Sequence, residues 1–404
     1  MSTPEPAEAA PSAESLLRAT SPHLLVAAAR HILAERVGAS DVTVLLADYG
    51  LSVLQPVSHL PHTDEPVSAH DGPAGRAFAS QSPVVEITSV SSPTQAVHLP
   101  MSVRGDRLGV LSLRLPRAAT DTTTVLQLAD FATALAHEVI AAGRDTDLYL
   151  QARRTRRLTL AAEMQWQLLP GRGCARPEYV VGAHLEPAYI IGGDNFDWST
   201  DADHFTLTVT DGMGQGIEAS LLTSLAVGAL RNARRAGIPL ADQAYLADQA
   251  LLAQYGGKKY VSSLLLKFDL DTGTVHAVDA GSPQAYRQRD NTIERIELEA
   301  QLPLGMFEET IYEEQTFQIE PGDRLMVVST GVHSALGGDG GTFAERALRE
   351  TFSAARSEPP HEAARAIIAG LMEHFGSREL AADASVLCLD WNGRPPRAVE
   401  STAF

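Results

Sequence analysis

The sequence predicts an α+β protein in three consecutive parts: an N-terminal α/β domain, a long helical connector and a C-terminal domain built on antiparallel sheets. Three observations predict it. Strand-like and helix-like segments arrive in blocks rather than in strict βαβα alternation, which disfavours one parallel sheet. The stretch from Asp121 to Leu169 holds no proline and one glycine, Gly143, and keeps helical spacing throughout. The 404 residues exceed what one domain of about 150 residues would hold. The expected boundaries are 12–118, 119–170 and 171–393, with short tails at 1–11 and 394–404.

Composition narrows the function. Lys and Arg number 32 against 50 Asp and Glu, a net charge of −18. So acidic a surface argues against nucleic acid and anionic membranes as partners. No apolar run reaches about 18 residues, so no membrane span is expected. The first residues lack the basic and apolar regions of a signal peptide. Cys174 and Cys388 are the only cysteines. Neither sits in a CxxC or Cys/His spacing, which excludes a disulfide scaffold or zinc finger and fits a reducing, cytoplasmic setting.

In chain order, Ser21-Pro22 reads as N-cap and first helical position of a helix running to about Val37. Strands are expected at Asp41–Leu46 and Leu51–Val57, a short helix at Ala74–Ser80, a strand at Pro83–Ile87, and a hairpin from Val97–Val103 and Leu108–Leu115. This order, with Gly75–Val85 and Val97–Leu113 as its best-matching pieces, resembles a GAF domain, a small-ligand sensor fold. The resemblance implies a sensor with an unspecified small ligand. His59, His62, His70 and His98 are scattered and read as ordinary surface or core histidines.

In the connector, Leu128, Ala132, Leu135 and Val139 recur at three- and four-residue spacing, and Leu160, Ala161, Met164 and Leu168 lead to the stop at Pro170. One long helix is expected, with Gly143 as its weak point, pairing with a second copy as a homodimer. Arg153, Arg154, Arg156 and Arg157 read as a solvated face, or else as a docking surface for an acidic partner.

The third part expects strands at Phe205–Asp211, Val261–Phe268, Gly273–Ala280, Gln284–Arg289, Arg324–Thr330 and Ala384–Trp391. Helices are expected at Gly216–Ala236, Leu240–Gln254, Phe343–Ala355 and Pro360–Phe375. Four segments then stand out in order: Gln165–Pro170, Ile191–Asp197 (Ile-Gly-Gly-Asp-Asn-Phe-Asp), Val209–Gly216 (Val-Thr-Asp-Gly-Met-Gly-Gln-Gly) and Pro321–Val332. With Tyr260–Ser262, Asp279–Pro283 and Leu302–Gly305 between them, they resemble the metal-dependent serine/threonine protein phosphatases of type 2C, in the bacterial SpoIIE/RsbU-type branch. The resemblance implies an α-β-β-α sandwich with a metal site at one edge of the paired sheets.

The implied chemistry is hydrolysis of a phosphate monoester by a metal-bound hydroxide, for which two Mn or Mg ions supply nucleophile and charge neutralisation. Such ions need several hard oxygen ligands. By the resemblance, Asp194 and Asp211 are the catalytic and metal-binding aspartates, and Gly212 offers a carbonyl. The other half of the site departs from the pattern. The family's aspartate before Gly-Val is Thr330, and its aspartate near the C-terminus falls on Ala382, with Asp383 one residue late. On strand alternation Asp383 would point to the other face. The family's Ala-Gly-His-Pro reads Ala280-Gly281-Ser282-Pro283. A hydroxyl and a methyl cannot offset a second divalent charge, so metal is expected to bind weakly or not at all. Asp383, Asp339, Asp197 and His333 are the side chains that could compensate.

Competing motifs fail. Gly192–Phe196 lacks the acidic fourth residue of a GGDEF signature, and Gly212–Gly216 lacks the Gly-Lys-Ser/Thr ending of a nucleotide loop. The expected function is therefore a sensor-regulated signalling protein with a degenerate metal site. It would be a pseudophosphatase or very weak phosphatase, acting on a phosphoprotein or an anti-sigma/anti-anti-sigma type regulator. The alternative is an active Mn- or Mg-dependent phosphoserine/phosphothreonine phosphatase with substituted ligands.

Overall fold

The computed structural model describes residues 11–57, 66–86, 92–154, 158–188, 191–337, 340–376 and 380–394. Two compact units divide the chain, Met1–Arg157 and Leu158–Phe404.

The first unit runs α1 (Ala13–Arg18), α2 (Leu25–Val37), β1 (Ser40–Ala47), β2 (Val53–Pro56), β3 (Val67–Ser68), α3 (Gly72–Ser80), β4 (Val84–Glu86), β5 (Thr94–Val103), β6 (Asp106–Pro116), α4 (Thr122–Ala142) and α5 (Leu148–Ala152). Its antiparallel sheet has the order β3-β2-β1-β6-β5-β4. The β5–β6 hairpin turns at Arg104 (φ 51°) and Gly105 (φ 92°), two left-handed positions that match the twist of the flanking strands. Strand alternation divides the side chains. Val44, Leu46, Leu99, Leu111 and Leu113 join a core with α1, α2 and α4, while Leu45, Ala47 and Val110 join Phe78 of α3 on the other face.

The connector is not one helix. α4 ends at Gly143, α5 covers only Leu148–Ala152, and a new helix begins after Thr159, whose side chain accepts the Ala162 N–H. The cause lies in burial rather than periodicity. Leu128, Ala132, Leu135 and Val139 pack into the first unit's core, so the stripe expected to pair two copies is already covered. α4 is also long and apolar enough to cross a membrane by length and composition, with a hydropathy of 1.3, where the sequence reading expected no such segment. The expected solvated arginine face is absent at Arg153. Its Nε donates to the Ala47 carbonyl (3.1 Å) and its guanidinium lies 5.2 Å from the Tyr49 ring centroid. Arg156, Arg157, His59, His62 and Asp339 lie outside the described residues.

The second unit runs α6 (Leu160–Leu168), β7 (Gly173–Arg176), β8 (Tyr179–Glu186), β9 (Gly193–Thr200), β10 (His204–Gly212), α7 (Gly216–Arg235), α8 (Leu240–Tyr255), β11 (Val261–Asp269), β12 (Thr274–Ala280), β13 (Gln284–Arg289), β14 (Thr292–Arg295), β15 (Gln315–Gln318), β16 (Arg324–Val328), α9 (Thr330–His333), α10 (Phe343–Arg346), α11 (Leu348–Ala354), α12 (Pro360–Phe375) and β17 (Ala384–Trp391). The helix expected over Phe343–Ala355 is split at Ala347 (φ −132°).

Two antiparallel sheets, β15-β12-β11-β10-β9 and β14-β13-β16-β17-β8-β7, pack face to face. Tyr179 and Trp391 of one sheet meet Phe205 and Phe268 of the other, with centroid separations of 4.4 Å for Tyr179–Phe205 and 6.0 Å for Phe268–Trp391. Burying each such ring contributes roughly 1.5–3 kcal/mol. α7 and α8 cover the first sheet through Leu222, Leu230 and Leu251. α11 and α12 cover the second through Phe352, Ile367 and Leu371. Helices therefore cover the outer face of each sheet over its central strands. The alternating Thr206, Thr208 and Thr210 of β10 are buried too, and Thr210 satisfies its hydroxyl on Ser263 at 3.2 Å. The result is an α-β-β-α sandwich. α12 approaches β8 so closely that a Cβ on Gly182 would stand 2.2 Å from the His361 nitrogen.

Candidate functional site

Antiparallel register puts Asp194 at the start of β9 directly opposite Asp211 at the end of β10, and Gly193 opposite Gly212. Partners across an antiparallel pair point to the same face, so the two carboxylates share the face that meets the second sheet. The glycines make the approach sterically possible. A Cβ on Gly193 would lie 2.3 Å from the Gly212 carbonyl oxygen, and one on Gly212 would lie 2.3 Å from Thr223 Oγ1 of α7. Thr223 in turn donates to the Gly193 carbonyl (2.8 Å).

The second sheet brings its own chain ends to the same place. Ser329 follows β16 and Ser385 opens β17. The Ser329 N–H donates to the Ser385 carbonyl and the Ser385 N–H to Ser329 Oγ, both at 3.0 Å. Thr330 then starts α9, and Ala382 and Asp383 precede β17. Gly331 lets this turn nest against the Asp383 backbone, where a Cβ would fall 1.8 Å from the carbonyl oxygen. Between the sheets lies a cleft of about 460 Å³, lined by Asp194, Asp211, Gly212, Thr330, Ala382 and Asp383, and walled by Met213, Leu336, Phe375 and Leu380.

The charges are unevenly held. Asp194 is 3% exposed, and its Oδ2 has no hydrogen-bond partner among the described residues. Burial pushes its proton affinity well above the usual carboxylate range, and Asp211 and Asp383 push it further. The hydroxyls of Ser329 and Ser385 work against the rise. Asp383 is also raised, by burial first, although it accepts hydrogen bonds from the Ala188 N–H (2.8 Å) and from Gln165 Nε2 of α6 (2.6 Å). Gln165 Nε2 also donates to the Asp194 carbonyl (3.1 Å). Nothing in the local pattern around Gln165 announces this bridge.

Several sequence expectations need correction. Asp383 does not point away from the cleft. It sits immediately before β17 and outside the strand, so its direction is not set by the strand's alternation. Its two oxygens are engaged by N–H donors. Asp197 lies on the opposite face of β9 and holds Arg231 (2.6 Å) and Arg234 (2.9 Å) of α7; it is no compensating ligand. His333 bonds the Ser282 carbonyl through Nε2 and the Ser334 hydroxyl through Nδ1, both at 2.9 Å, and burial lowers its proton affinity. It does not line the cleft. The Thr330 hydroxyl is paired with Ser282 Oγ at 2.5 Å.

Thr330 and Ala382 supply no carboxylate to the cleft, and Asp383 is committed to amide donors. Among the described residues, no group of three or more His, Cys, Asp or Glu is placed to hold a metal ion. Closely spaced oxygen donors with ligand charge are what such ions require.

Residues 201–392 match the family model described as Stage II sporulation protein E (SpoIIE). Among curated proteins, the phosphoserine phosphatase RsbU of Bacillus subtilis (strain 168) is 23% identical over 177 residues, 43% of this chain. The chain spans about half (52%) of that relative's length. Among solved structures, the SiaA-PP2C domain of Pseudomonas aeruginosa is 21% identical with a TM-score of 0.47, covering 52% of this chain and 85% of that one. The phosphatase domain of SpoIIE from Bacillus subtilis, with a fragment of its regulatory domain, is 14% identical with a TM-score of 0.48, covering 77% of this chain and 82% of that one.

Proposed function

We propose that this chain, whose second unit is of the SpoIIE/RsbU type of protein phosphatase, acts as a signalling module rather than as a competent hydrolase. The observation that carries the reading is the pair Thr330 and Ala382, a hydroxyl already bonded to Ser282 and a methyl group, standing in the cleft beside Asp194 and Asp211. Removal of two ligand carboxylates leaves a divalent ion without the charge that would hold it. Without that ion, no group among the described residues lining the cleft is placed to activate water and neutralise phosphate together.

In this reading the second unit binds a regulator of the anti-sigma/anti-anti-sigma type in a partner-switching pathway in the cytoplasm, and the first unit, GAF-like in element order, senses a small ligand. Gln165 supports a link between α6 and the cleft, since its side chain holds Asp383 and the Asp194 backbone together. Metal at the site is weak or absent.

The test is hydrolysis of a phosphoserine protein by the full chain over a range of Mn²⁺ concentrations. The expected result is no metal-dependent rate above background. A rate that saturates with Mn²⁺ and disappears in Asp211→Asn would establish the other reading, an active phosphatase with substituted ligands.

A further inference from the structure

The cleft offers a ligand something other than a metal site. Three carboxylate side chains, Asp194, Asp211 and Asp383, line it, and no Lys, Arg or His does among the described residues. A phosphate dianion entering without metal would meet negative charge and no cation. Among the described residues, the buried Asp194 Oδ2 has no hydrogen-bond partner; a buried acceptor left so is costly and is satisfied by a donor. The walls are apolar: Met213, Ala335, Leu336, Phe375 and Leu380. One feature opposes this balance, the amino end of α7, which favours anions. Its Gly216 N–H is spent on the Ile191 carbonyl at 2.6 Å, and Glu218 in its first turn already supplies a carboxylate.

We propose that the cleft is a receptor for a cationic side chain on an apolar stem, an arginine or lysine flanked by apolar residues in an unphosphorylated segment of a partner protein. The guanidinium or ammonium group would lie between Asp211 and Asp194, and its methylenes along Met213 and Leu336. A cleft of about 460 Å³ takes one such side chain with part of its neighbours. A phosphorylated segment would be excluded by like charge. This rests on the reading of the cleft as unable to hold two metals.

The experiment uses the full chain with ¹³C-labelled methionine methyls. There are seven methionines, and Met213 reports from the cleft wall. Three probes are titrated: a capped tripeptide of leucine, arginine and leucine, the same peptide with neutral citrulline for arginine, and the same with phosphoserine. A fourth titration uses butylamine, which separates a protein segment from a free amine. The Met213 methyl is expected to shift with the arginine peptide, with roughly tenfold or more weaker response to citrulline and none to phosphoserine. Asp211→Asn and Thr330→Lys should each abolish the arginine response, the unchanged remaining methyls showing that each variant is folded.

Equal responses to arginine and citrulline would overturn the charge recognition, as would a response that survives in both variants. A phosphoserine response without metal would overturn it in favour of an anion site, and butylamine binding as tightly as the peptide would overturn the partner segment. Mn²⁺ separates this inference from the reading beneath it. Paramagnetic broadening of Met213 by Mn²⁺, lost in Asp211→Asn, would mean a metal site and defeat both. No Mn²⁺ effect with no arginine response would defeat this inference alone.

Discussion

Gln165 Nε2 reaches Asp383 Oδ2 at 2.6 Å across 218 positions of the chain, and the same nitrogen donates to the Asp194 carbonyl. One amide on α6 thus ties together the strand that carries the first aspartate and the segment before β17 that carries the last. Gln165→Leu removes both bonds and leaves a buried carboxylate short of a donor. A loss of about 1–3 kcal/mol is expected, read as a shift of the urea midpoint of the second unit. A midpoint unchanged within error would mean that α6 does not depend on this bridge.

On the proposed reading, Thr330 and Ala382 are the places where ligand carboxylates are lacking. Thr330 and Ala382 line one cleft with Asp211, so Thr330→Asp with Ala382→Asp returns two carboxylates to it. The double variant should melt lower than the parent without metal, through carboxylate repulsion, and regain stability with Mn²⁺ by linkage. Phosphatase activity should appear only in the double, because the effects of residues that act as a unit are not additive. A parent already as fast as the double would show that other ligands serve.

Asp197 is expected to matter for stability and not for metal. It is 4% exposed and pairs with two arginines of α7. Asp197→Ala leaves both cations without their carboxylate, at a cost on the order of 3 kcal/mol. Calorimetric titration with Mn²⁺ should give the same trace for variant and parent; a weakened Mn²⁺ trace would restore Asp197 as a ligand.

Asp279 supplies a pH signature. Burial pushes its carboxyl up to about 6 from 3.8, against the Gly281 N–H bond that lowers it. The folded state therefore holds a proton that the unfolded state releases between those values. Stability contributed by this group falls as pH rises from about 4 to about 6 and is level above. Asp279→Asn keeps an oxygen for Gly281 and cannot titrate, so its stability relative to the parent should rise across that window. A constant difference from pH 4 to pH 7 would contradict the assignment.

α4 should behave as a core helix. Leu135 is fully buried in the first unit's cluster. Leu135→Ala should cost about 2–5 kcal/mol, and the loss should not vary with protein concentration. A loss confined to high concentration, with dissociation seen by light scattering, would instead place Leu135 between two copies.

Local sequence determined a good deal. The pairs Gly193-Asp194 and Asp211-Gly212 marked strand ends where backbones approach closely, because only glycine leaves room for the neighbouring carbonyl and hydroxyl. The alternation of Phe205, Leu207 and Val209 marked the face that meets the second sheet, and the cleft does bring Thr330 and Ala382 together with Asp194 and Asp211. What tertiary structure alone decided is where each group spends its bonds. Asp383 lies just outside β17, so a period-two argument aimed it the wrong way. Asp197 was a carboxylate beside a glycine-rich motif until α7 brought Arg231 and Arg234 to it. The stretch from Asp121 to Leu169 kept its helical period while its apolar residues served two different cores. Periodicity records which side of a segment is apolar. It carries no information on which surface will cover that side, since hydrophobic burial is non-directional and is settled by packing between residues far apart in the chain.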